Sequence, residues 1–287
     1  MEQPVRVACL GDVMLDVIVE APEGLVPDDD TPATITFAAG GQAANVAAWV
    51  VALGGEAWVF GPHSERGRAG LVSAALEARG VKVAGPHVER PGTVVSLVTS
   101  GTRSMASDPG DASWLAHVSP GPWLDGAQWL MVSGYALLRT PAQERIVETA
   151  AAARAAGARV AVDLASASLI ERFGPARFRA LWQSLEPSVV LANDAEWAAT
   201  HHGEGPPPTA FGAGGRSVLV LKHGPAGASF VIDGVADDRL PTAGPVVDVT
   251  GAGDAMTAGF LLGGAHLAMT TAAACVAQVG AQPEVLE

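Results

Sequence analysis

The sequence predicts an α/β fold with a mostly parallel central sheet. Four apolar runs are short and continuous, as in strands that are buried on both faces of such a sheet: 129–132, 159–162, 189–192 and 218–221. Helical stretches are predicted at 45–53, 141–156 and 175–185, and glycine follows the first two. This alternation of strands and helices is typical of βα units in an open sheet.

Two segments depart from the alternation. Residues 17–38 contain an alternating stretch at 33–37, and residues 92–105 contain a β-branched stretch at 93–99 before a Ser-Gly-Thr turn. Both patterns favour antiparallel ribbons. The ribbons can form a small sheet of their own or extend the edge of the central sheet.

The length and composition favour one globular domain over residues 1–287. A chain of 287 residues and 29.1 kDa is compatible with one large α/β domain. A hydrophobic fraction of 49% and a charged fraction of 16% supply ample material for a buried sheet.

The charge argues for small-molecule partners. A formal net charge of −13 disfavours binding to the phosphates of nucleic acids and to an anionic membrane surface. Any bound anion must therefore be met by local positive potential from helix N-termini, metal ions and a few placed cations. The chain has two lysines, Lys82 and Lys222, and the second follows a predicted strand.

Cysteine usage and the N-terminus favour the cytoplasm. Cys9 and Cys275 are far apart in apolar surroundings, which indicates buried free thiols. We expect no leader peptide, because the first residues run directly into a predicted strand. We also expect no membrane span, since the Ala-rich stretch 269–279 is too short to cross a bilayer.

One glycine-rich junction carries the clearest chemical signal. The run from Asp248 to Asp254 places small residues at 251–253, which lets a turn approach a ligand closely at the start of a helix. The N-terminus of that helix would attract an anion, and Asp254 could take a proton from a hydroxyl held beside it. This pairing suggests phosphoryl transfer. The alternative is a stable helix start with an ordinary capping carboxylate.

Five motifs together resemble the ribokinase-like, or phosphofructokinase B, family of sugar and nucleoside kinases. In chain order they are Gly-Asp-Val-Met-Leu-Asp at 11–16, Gly-Gly-Gln-Ala-Ala-Asn at 40–45, Asn-Asp-Ala-Glu at 193–196, Lys-His-Gly-Pro-Ala-Gly at 222–227, and Asp-Val-Thr-Gly-Ala-Gly-Asp at 248–254. The resemblance implies a three-layer αβα sandwich in which the two ribbons form a small β-lid over the substrate. It also implies an ATP-dependent kinase that acts on a primary hydroxyl.

The resemblance implies a role for each motif. Asp254 is expected to be the general base, and the backbone amides of Gly251, Ala252 and Gly253 are expected to form the anion hole. The acceptor sugar or nucleoside is expected to contact Asp16, Gly40, Gly41, Asn45 and Arg103. The nucleotide is expected to contact Asn193, Lys222, Gly224 and Gly227.

Two kinds of cation are implied. Glu196 is expected to hold Mg²⁺ through water, although a carboxylate in a first helical turn can equally serve to offset the helix dipole. Asp248, Thr250 and Gly280 match a K⁺ loop of the family, but Glu284 stands where the family often has serine. The resemblance also suggests a homodimer through the lid.

Three alternatives stay open. The acceptor can be a nucleoside of the pseudouridine or adenosine type, or the fold can serve as a silent sugar or nucleotide sensor. An NAD-binding enzyme is a third option, but the first strand leads into Gly-Asp-Val-Met at 11–14, which lacks the Gly-x-Gly-x-x-Gly pattern.

Overall fold

A computed structural model describes residues 3–99, 102–139, 142–201 and 217–284, without the side chains of residues 68, 69, 102 and 103. The strands in these ranges are β1 Arg6–Leu10, β2 Met14–Glu20, β3 Thr34–Gly40, β4 Glu56–Phe60, β5 Lys82–Ala84, β6 Gly92–Thr99, β7 Thr102–Asp108, β8 Trp129–Ser133, β9 Arg159–Asp163, β10 Val189–Asn193, β11 Val218–Lys222, β12 Ala228–Ile232 and β13 Val235–Arg239. The helices are α1 Gln42–Ala52, α2 Gly67–Ala78, α3 Gly134–Leu137, α4 Gln143–Ala155, α5 Ala167–Phe173, α6 Pro175–Ser184, α7 Asp194–His201 and α8 Ala252–Val276.

The main sheet has nine strands in the order β13-β12-β11-β10-β9-β8-β1-β4-β5. Strands β11 to β5 in this order are parallel, and β12 and β13 add an antiparallel edge. One hydrophobic cluster packs α1, α2 and α8 on one face of the sheet, and a second packs α4 and α6 on the other. The predicted three-layer α/β sandwich is therefore confirmed.

Alternation along the strands explains why both faces are covered. In β10, Val189 and Leu191 belong to the first cluster, whereas Val190 and Ala192 belong to the second. All four residues of the continuous apolar run 189–192 are therefore buried.

The helix boundaries differ slightly from the predicted ones. Helix α1 begins at Gln42, three residues before the predicted start, because Gly41 takes a positive φ of 94° and serves as its N-cap. Helix α6 ends one residue before the predicted position. Helix α4 begins at Gln143, and the predicted start at residue 141 lies outside the described part of the chain.

The two predicted ribbons form a second sheet and do not extend the main one. Its order is β3-β2-β6-β7, with antiparallel pairs at both edges and a parallel pair in the middle. The strands reach beyond the predicted segments, because β2 begins at residue 14 and β7 ends at residue 108. We call this four-stranded sheet the lid sheet.

Helix α8 has a kink, because the backbone angles of Gly263 and Gly264 are not helical. The Ala-rich residues 269–276 lie in the part of the helix after this kink. Among the described residues, α8 is also the one helix whose length and apolar composition would suit a bilayer. Its buried residues, including Ala255, Ala258 and Leu261, belong to the core, and a core helix of a soluble protein passes the same test.

Candidate active site

Polar residues end three adjacent strands at the carboxyl edge of the main sheet. Asp163 ends β9, Asn193 ends β10 and Lys222 ends β11. Because these strands are parallel neighbours, their last side chains lie at one edge, where α/β sheets place their ligands. Asp254, in the first turn of α8, faces the same edge.

The glycine turn lies at the start of α8. Gly251 is the N-cap with a φ of 73°, and the first three helical amides are those of Ala252, Gly253 and Asp254. A side chain on Gly251 would lie 2.6 Å from the Cα atom of Ala281, so only glycine fits here. The turn thus presents N–H groups at the positive end of the helical segment that runs from Ala252 to the kink at Gly263, as an anion hole requires.

The pKa of Asp254 is raised to about 7. Burial is the largest cause, because it disfavours the charged carboxylate, and the negative charges of Asp163 and Asp16 raise it further. The hydrogen bond from Asn45 and the charge of Lys222 act in the opposite direction. A carboxylate with this pKa is suited to take up a proton at neutral pH.

Asn45, which is predicted to contact the acceptor, also contacts Asp254. Its Nδ2 atom donates to Oδ2 of Asp254 at 2.8 Å, and its Oδ1 atom accepts from Nε2 of Gln282 at 3.1 Å. The Gln282 bond fixes which end of the Asn45 amide faces Asp254. Asn45 therefore orients the carboxylate that the glycine motif predicts as the base.

The predicted acceptor residues cluster where the lid sheet meets α1. Asp16 lies on β2 and is 8% exposed, and a side chain on Gly40 of the adjacent strand would collide with its carboxylate. Gly41 caps the helix that carries Asn45. Arg103 lies on β7, but its side chain is outside the described part, so its contact with the acceptor stays a prediction.

A buried ion pair joins the turn after β1 to the residues that follow α3. Arg139 Nη1 lies 3.0 Å from Oδ1 of Asp12, which is 4% exposed. Burial raises the pKa of Asp12, although the Arg139 charge opposes that rise. This ion pair braces the turn after β1.

An apolar cavity of about 430 Å³ borders the glycine turn, and Ala252 and Gly253 line it. The turn between β11 and β12 supplies Lys222, Gly224 and Gly227 to its wall, as the motif predicts for nucleotide contacts. Helix α8 supplies Gly253, Met256 and Met269, among others. A flat, mostly apolar base would fit this cavity, with its phosphates directed toward the turn.

Lys222 is more constrained than a free phosphate-binding cation. Its Nζ atom lies 2.9 and 2.8 Å from the two carboxylate oxygens of Asp163, which is 1% exposed. Burial alone would lower its pKa, but the nearby carboxylates Asp163 and Glu196 raise it overall. Lys222 is therefore charged at neutral pH.

Asn193 and Glu196 form a capping box at the start of α7. Oδ1 of Asn193 accepts from the Glu196 amide at 2.8 Å, and Oε2 of Glu196 accepts from the Asn193 amide at 2.9 Å. Burial raises the pKa of Glu196 to about 7. Each of its carboxylate oxygens still has a lone pair that could accept a water of hydrated Mg²⁺, so the residues fit an outer-sphere role.

The residues predicted to bind K⁺ lie together but already hold one another. Oδ1 of Asp248 accepts from the amide and hydroxyl of Thr250, and Oδ2 accepts from the Gly280 amide at 2.9 Å. Carboxylate and hydroxyl oxygens are hard donors that suit a monovalent cation. The turn nevertheless keeps its shape through its own hydrogen bonds.

The sequence interpretation missed Asp163, Thr257 and Gln282. Thr257 Oγ1 donates to Oδ2 of Asp163 at 2.8 Å, which joins α8 to the end of β9. A usable signal was present, because Asp163 is a polar residue that ends an apolar strand, as Asn193 and Lys222 do. Gln282 gave no comparable signal, since its partner Asn45 is 237 residues away.

Comparison with known proteins places the whole described fold in one family. Residues 5–284 match the pfkB family of carbohydrate kinases. The chain is 30% identical over 276 residues to 1-phosphofructokinase from Rhodobacter capsulatus. The aligned region covers 86% of this chain and 80% of that protein. It is 33% identical over 291 residues to the bifunctional protein HldE from Halorhodospira halophila (strain DSM 244 / SL1), covering 95% of this chain and 59% of that longer protein.

The fold is also that of solved kinase structures. The crystal structure of adenosine kinase from Sinorhizobium meliloti aligns with a TM-score of 0.81 and 23% sequence identity, over 99% of this chain and 97% of that one. At this identity the likeness describes the fold alone.

Proposed function

Because the chain belongs to the pfkB family and is an ATP-dependent carbohydrate kinase, we propose that it transfers the γ-phosphate of ATP to a primary hydroxyl of a small sugar, with Asp254 as the general base. The observation that supports this best is the position of Asp254. It lies in the turn between the apolar cavity and the acceptor-side carboxylate Asp16, and its pKa of about 7 suits a base.

Each step uses a group at this edge of the sheet. Asp16 accepts hydrogen bonds from sugar hydroxyls and orients the reacting one toward Asp254. The hydroxyl oxygen attacks the γ-phosphorus, the bond to the bridging oxygen breaks, and ADP leaves. Asp254 takes the hydroxyl proton as the new P–O bond forms.

The anion hole meets the charge on the transferred group. The amides of Gly251, Ala252 and Gly253, at the N-cap and in the first turn of α8, would donate to the equatorial phosphoryl oxygens. Lys222 adds a full positive charge beside Gly253. Its Nζ atom is so close that a methyl group added to this glycine would lie 3.3 Å from it. Positioning and charge neutralisation supply most of the catalysis in phosphoryl transfer.

The cavity would hold the adenosine part of ATP. Val246 and Val249 line it and are 68% and 65% exposed, so they offer apolar surface that a purine ring would cover. Gly224 and Gly227 allow close approach of the backbone on the opposite side. Asn193 lies next to Lys222 across β10 and β11, at the phosphate end.

Mg²⁺ would neutralise phosphate charge when bound. The capping-box carboxylate of Glu196 would hold its waters, and Asn193 would keep that carboxylate in place. A K⁺ ion would supply a further positive charge behind the anion hole, held by Asp248, Thr250 and the loop at Gly280.

The competing acceptor is a nucleoside, and the competing role is a sensor without turnover. An ADP-release assay over free sugars, sugar phosphates, keto acids and nucleosides tests all three. Turnover with a sugar supports the proposal, and turnover with nucleosides alone replaces it. ATP binding without turnover of any acceptor favours the sensor.

The lid sheet also suggests a partner. Phe37 and Val95 flank Val17 in one cross-strand row, and Ile35 lies on the same face, with exposed fractions of 62%, 40% and 56% for Phe37, Val95 and Ile35. We propose that a second copy covers this face. Light scattering of wild type and F37S would test it, because a monomeric wild type contradicts the proposal.

We place the protein in the cytoplasm, acting on small molecules. Both cysteines are free and buried, which suits a reducing compartment. The net charge of −13 disfavours nucleic acid and anionic membranes as partners.

A further inference from the structure

Asp163 is a buried carboxylate to which the kinase motifs assign no role. It ends β9 and is 1% exposed, and its two oxygens accept three hydrogen bonds from two side chains. Two bonds come from the ammonium group of Lys222, and the third comes from the hydroxyl of Thr257. A carboxylate this deeply buried requires such partners.

The Lys222 side chain crosses a strand to reach Asp163. β10 separates β9 from β11, so the two Cα atoms are about two strand spacings apart, roughly 10 Å. The lysine side chain must therefore extend over the end of β10 and away from solvent. This path places Nζ against Gly253, one of the anion-hole residues.

A lysine without this anchor would have many other conformations. Its four-carbon side chain carries a compact charge that is strongly hydrated and free to turn toward water. Two charge-assisted bonds to one carboxylate hold it in one place. Asp163 thus converts a flexible cation into a fixed positive charge.

The same carboxylate acts on the base electrostatically. The negative charge of Asp163 is the second cause, after burial, of the raised pKa of Asp254. Five other groups interact with Asp254. They are Asp16 on β2, Asn45 on α1, Lys222 on β11, Tyr135 on α3 and Cys275 on α8. Asp163 is therefore one of two carboxylates that make Asp254 more basic.

We propose that Asp163 is a positioning residue for phosphoryl transfer, which holds the Lys222 ammonium against Gly253 at the anion hole. This role rests on the proposed function, since Lys222 and Asp254 act there on the nucleotide and on the hydroxyl. Asp163 itself touches neither substrate.

The test compares Asp163→Asn with Thr257→Val. D163N keeps the size and removes the charge. T257V removes a hydroxyl whose one proton faces both Oδ2 of Asp163 and the carbonyl oxygen of Gly253, and it leaves the Asp163–Lys222 pair in place. Calorimetry with Mg-ATP is expected to show affinity weakened about tenfold in D163N and by less than about twofold in T257V. Equal weakening in both would show that Asp163 merely anchors α8, and would overturn the proposal.

Kinetics supplies a second readout. In D163N the KM for ATP is expected to rise while the KM for the acceptor stays within about twofold, and the acidic limb of the kcat profile is expected to move down by about one pH unit. Wild-type values for both quantities would overturn the proposal. If D163N does not fold, Asp163→Glu is the second variant, because it keeps the charge but displaces Nζ of Lys222. An unchanged affinity of D163E for ATP would also overturn the proposal.

A double-mutant cycle with Lys222→Met tests whether Asp163 acts through the lysine. D163N is expected to weaken ATP binding by no more than about threefold when added to K222M. Full additivity would contradict the proposal. If the wild-type protein turns over no acceptor, the proposed function is contradicted. The role of the Asp163–Lys222 pair can still be tested in that case, because the calorimetric measurement of ATP affinity does not require turnover.

Discussion

The amide nitrogen Nδ2 of Asn45 donates a hydrogen bond of 2.8 Å to Oδ2 of Asp254. The bond joins the first turn of α1 to the first turn of α8, across 209 residues of sequence. It favours the charged form of Asp254 and so opposes the effect of burial on the pKa. The motif predicted to contact the acceptor and the motif predicted to supply the base therefore meet at one carboxylate.

Replacing Asp254 by asparagine is expected to lower kcat by about 10²- to 10⁴-fold while ATP affinity stays within about threefold. An amide keeps the size of the carboxylate but cannot take the hydroxyl proton. In the wild type the acidic limb of the kcat profile is expected near pH 7, because the base must be deprotonated to act. Near-wild-type turnover of the purified variant would eliminate Asp254 as the base.

The same variant is expected to change how stability depends on pH. The folded wild type keeps a proton on Asp254 from its ordinary pKa of 3.8 up to about 7, so this group makes the folded state less stable as pH rises through that range. The difference corresponds to at most about 4 kcal/mol. D254N lacks this titration, so its free energy of unfolding is expected to increase relative to that of the wild type as the pH rises from 4 to 8.

Urea denaturation of both proteins at pH 5 and pH 8 checks this expectation. Glu196 also has a raised pKa, but it is present in both proteins and cancels in the comparison. A constant difference between wild type and variant would mean that Asp254 titrates near its ordinary pKa.

Asp16→Ala is expected to raise the KM for the acceptor by about tenfold or more and to leave the KM for ATP within about twofold. The carboxylate lies against Gly40 at the lid sheet and is not among the described residues that line the apolar cavity. Glu20→Ala, four residues further along β2, is the matched control. Equal changes in both constants would place Asp16 outside the acceptor pocket.

Glu196→Gln is expected to shift the magnesium dependence of turnover to higher concentration by about tenfold. It also loses part of the capping box, since an NH₂ group would face an Asn193 donor, at a cost of about 1 kcal/mol. Asp194→Asn removes the other acid of the same turn and is the control. Magnesium titrations separate the two effects, and full wild-type activity in excess chelator would refute a magnesium role altogether.

Potassium in place of sodium is expected to raise turnover by less than about tenfold. The carboxylate of Asp248 already accepts hydrogen bonds from Thr250 and Gly280, so the anion-hole turn is held partly without a cation. Rates measured at constant ionic strength with fixed magnesium test this. Identical rates in the two salts would remove the monovalent site from the proposal.

The sequence by itself predicts five strands of the main sheet, β1 and β8 to β11, and the motifs at their ends. Continuous apolar runs such as 189–192 specify strands that are buried on both faces, and this requirement is local to the run. The carboxyl ends of parallel strands share an edge, so the strand pattern alone places Asn193, Lys222 and Asp254 near one another. The ribbons are also predicted, but alternation alone does not show that they form a separate sheet.

Only the tertiary structure decides which side chains pair with one another in the site. The motif predicts a free phosphate ligand at Lys222, but its ammonium is paired with Asp163, 59 residues away. Gln282, Asn45 and Asp254 form one hydrogen-bonded chain although they come from three distant segments. Burial of a charge depends on everything packed around it, so neither such pairings nor the raised pKa of Asp254 follow from local sequence.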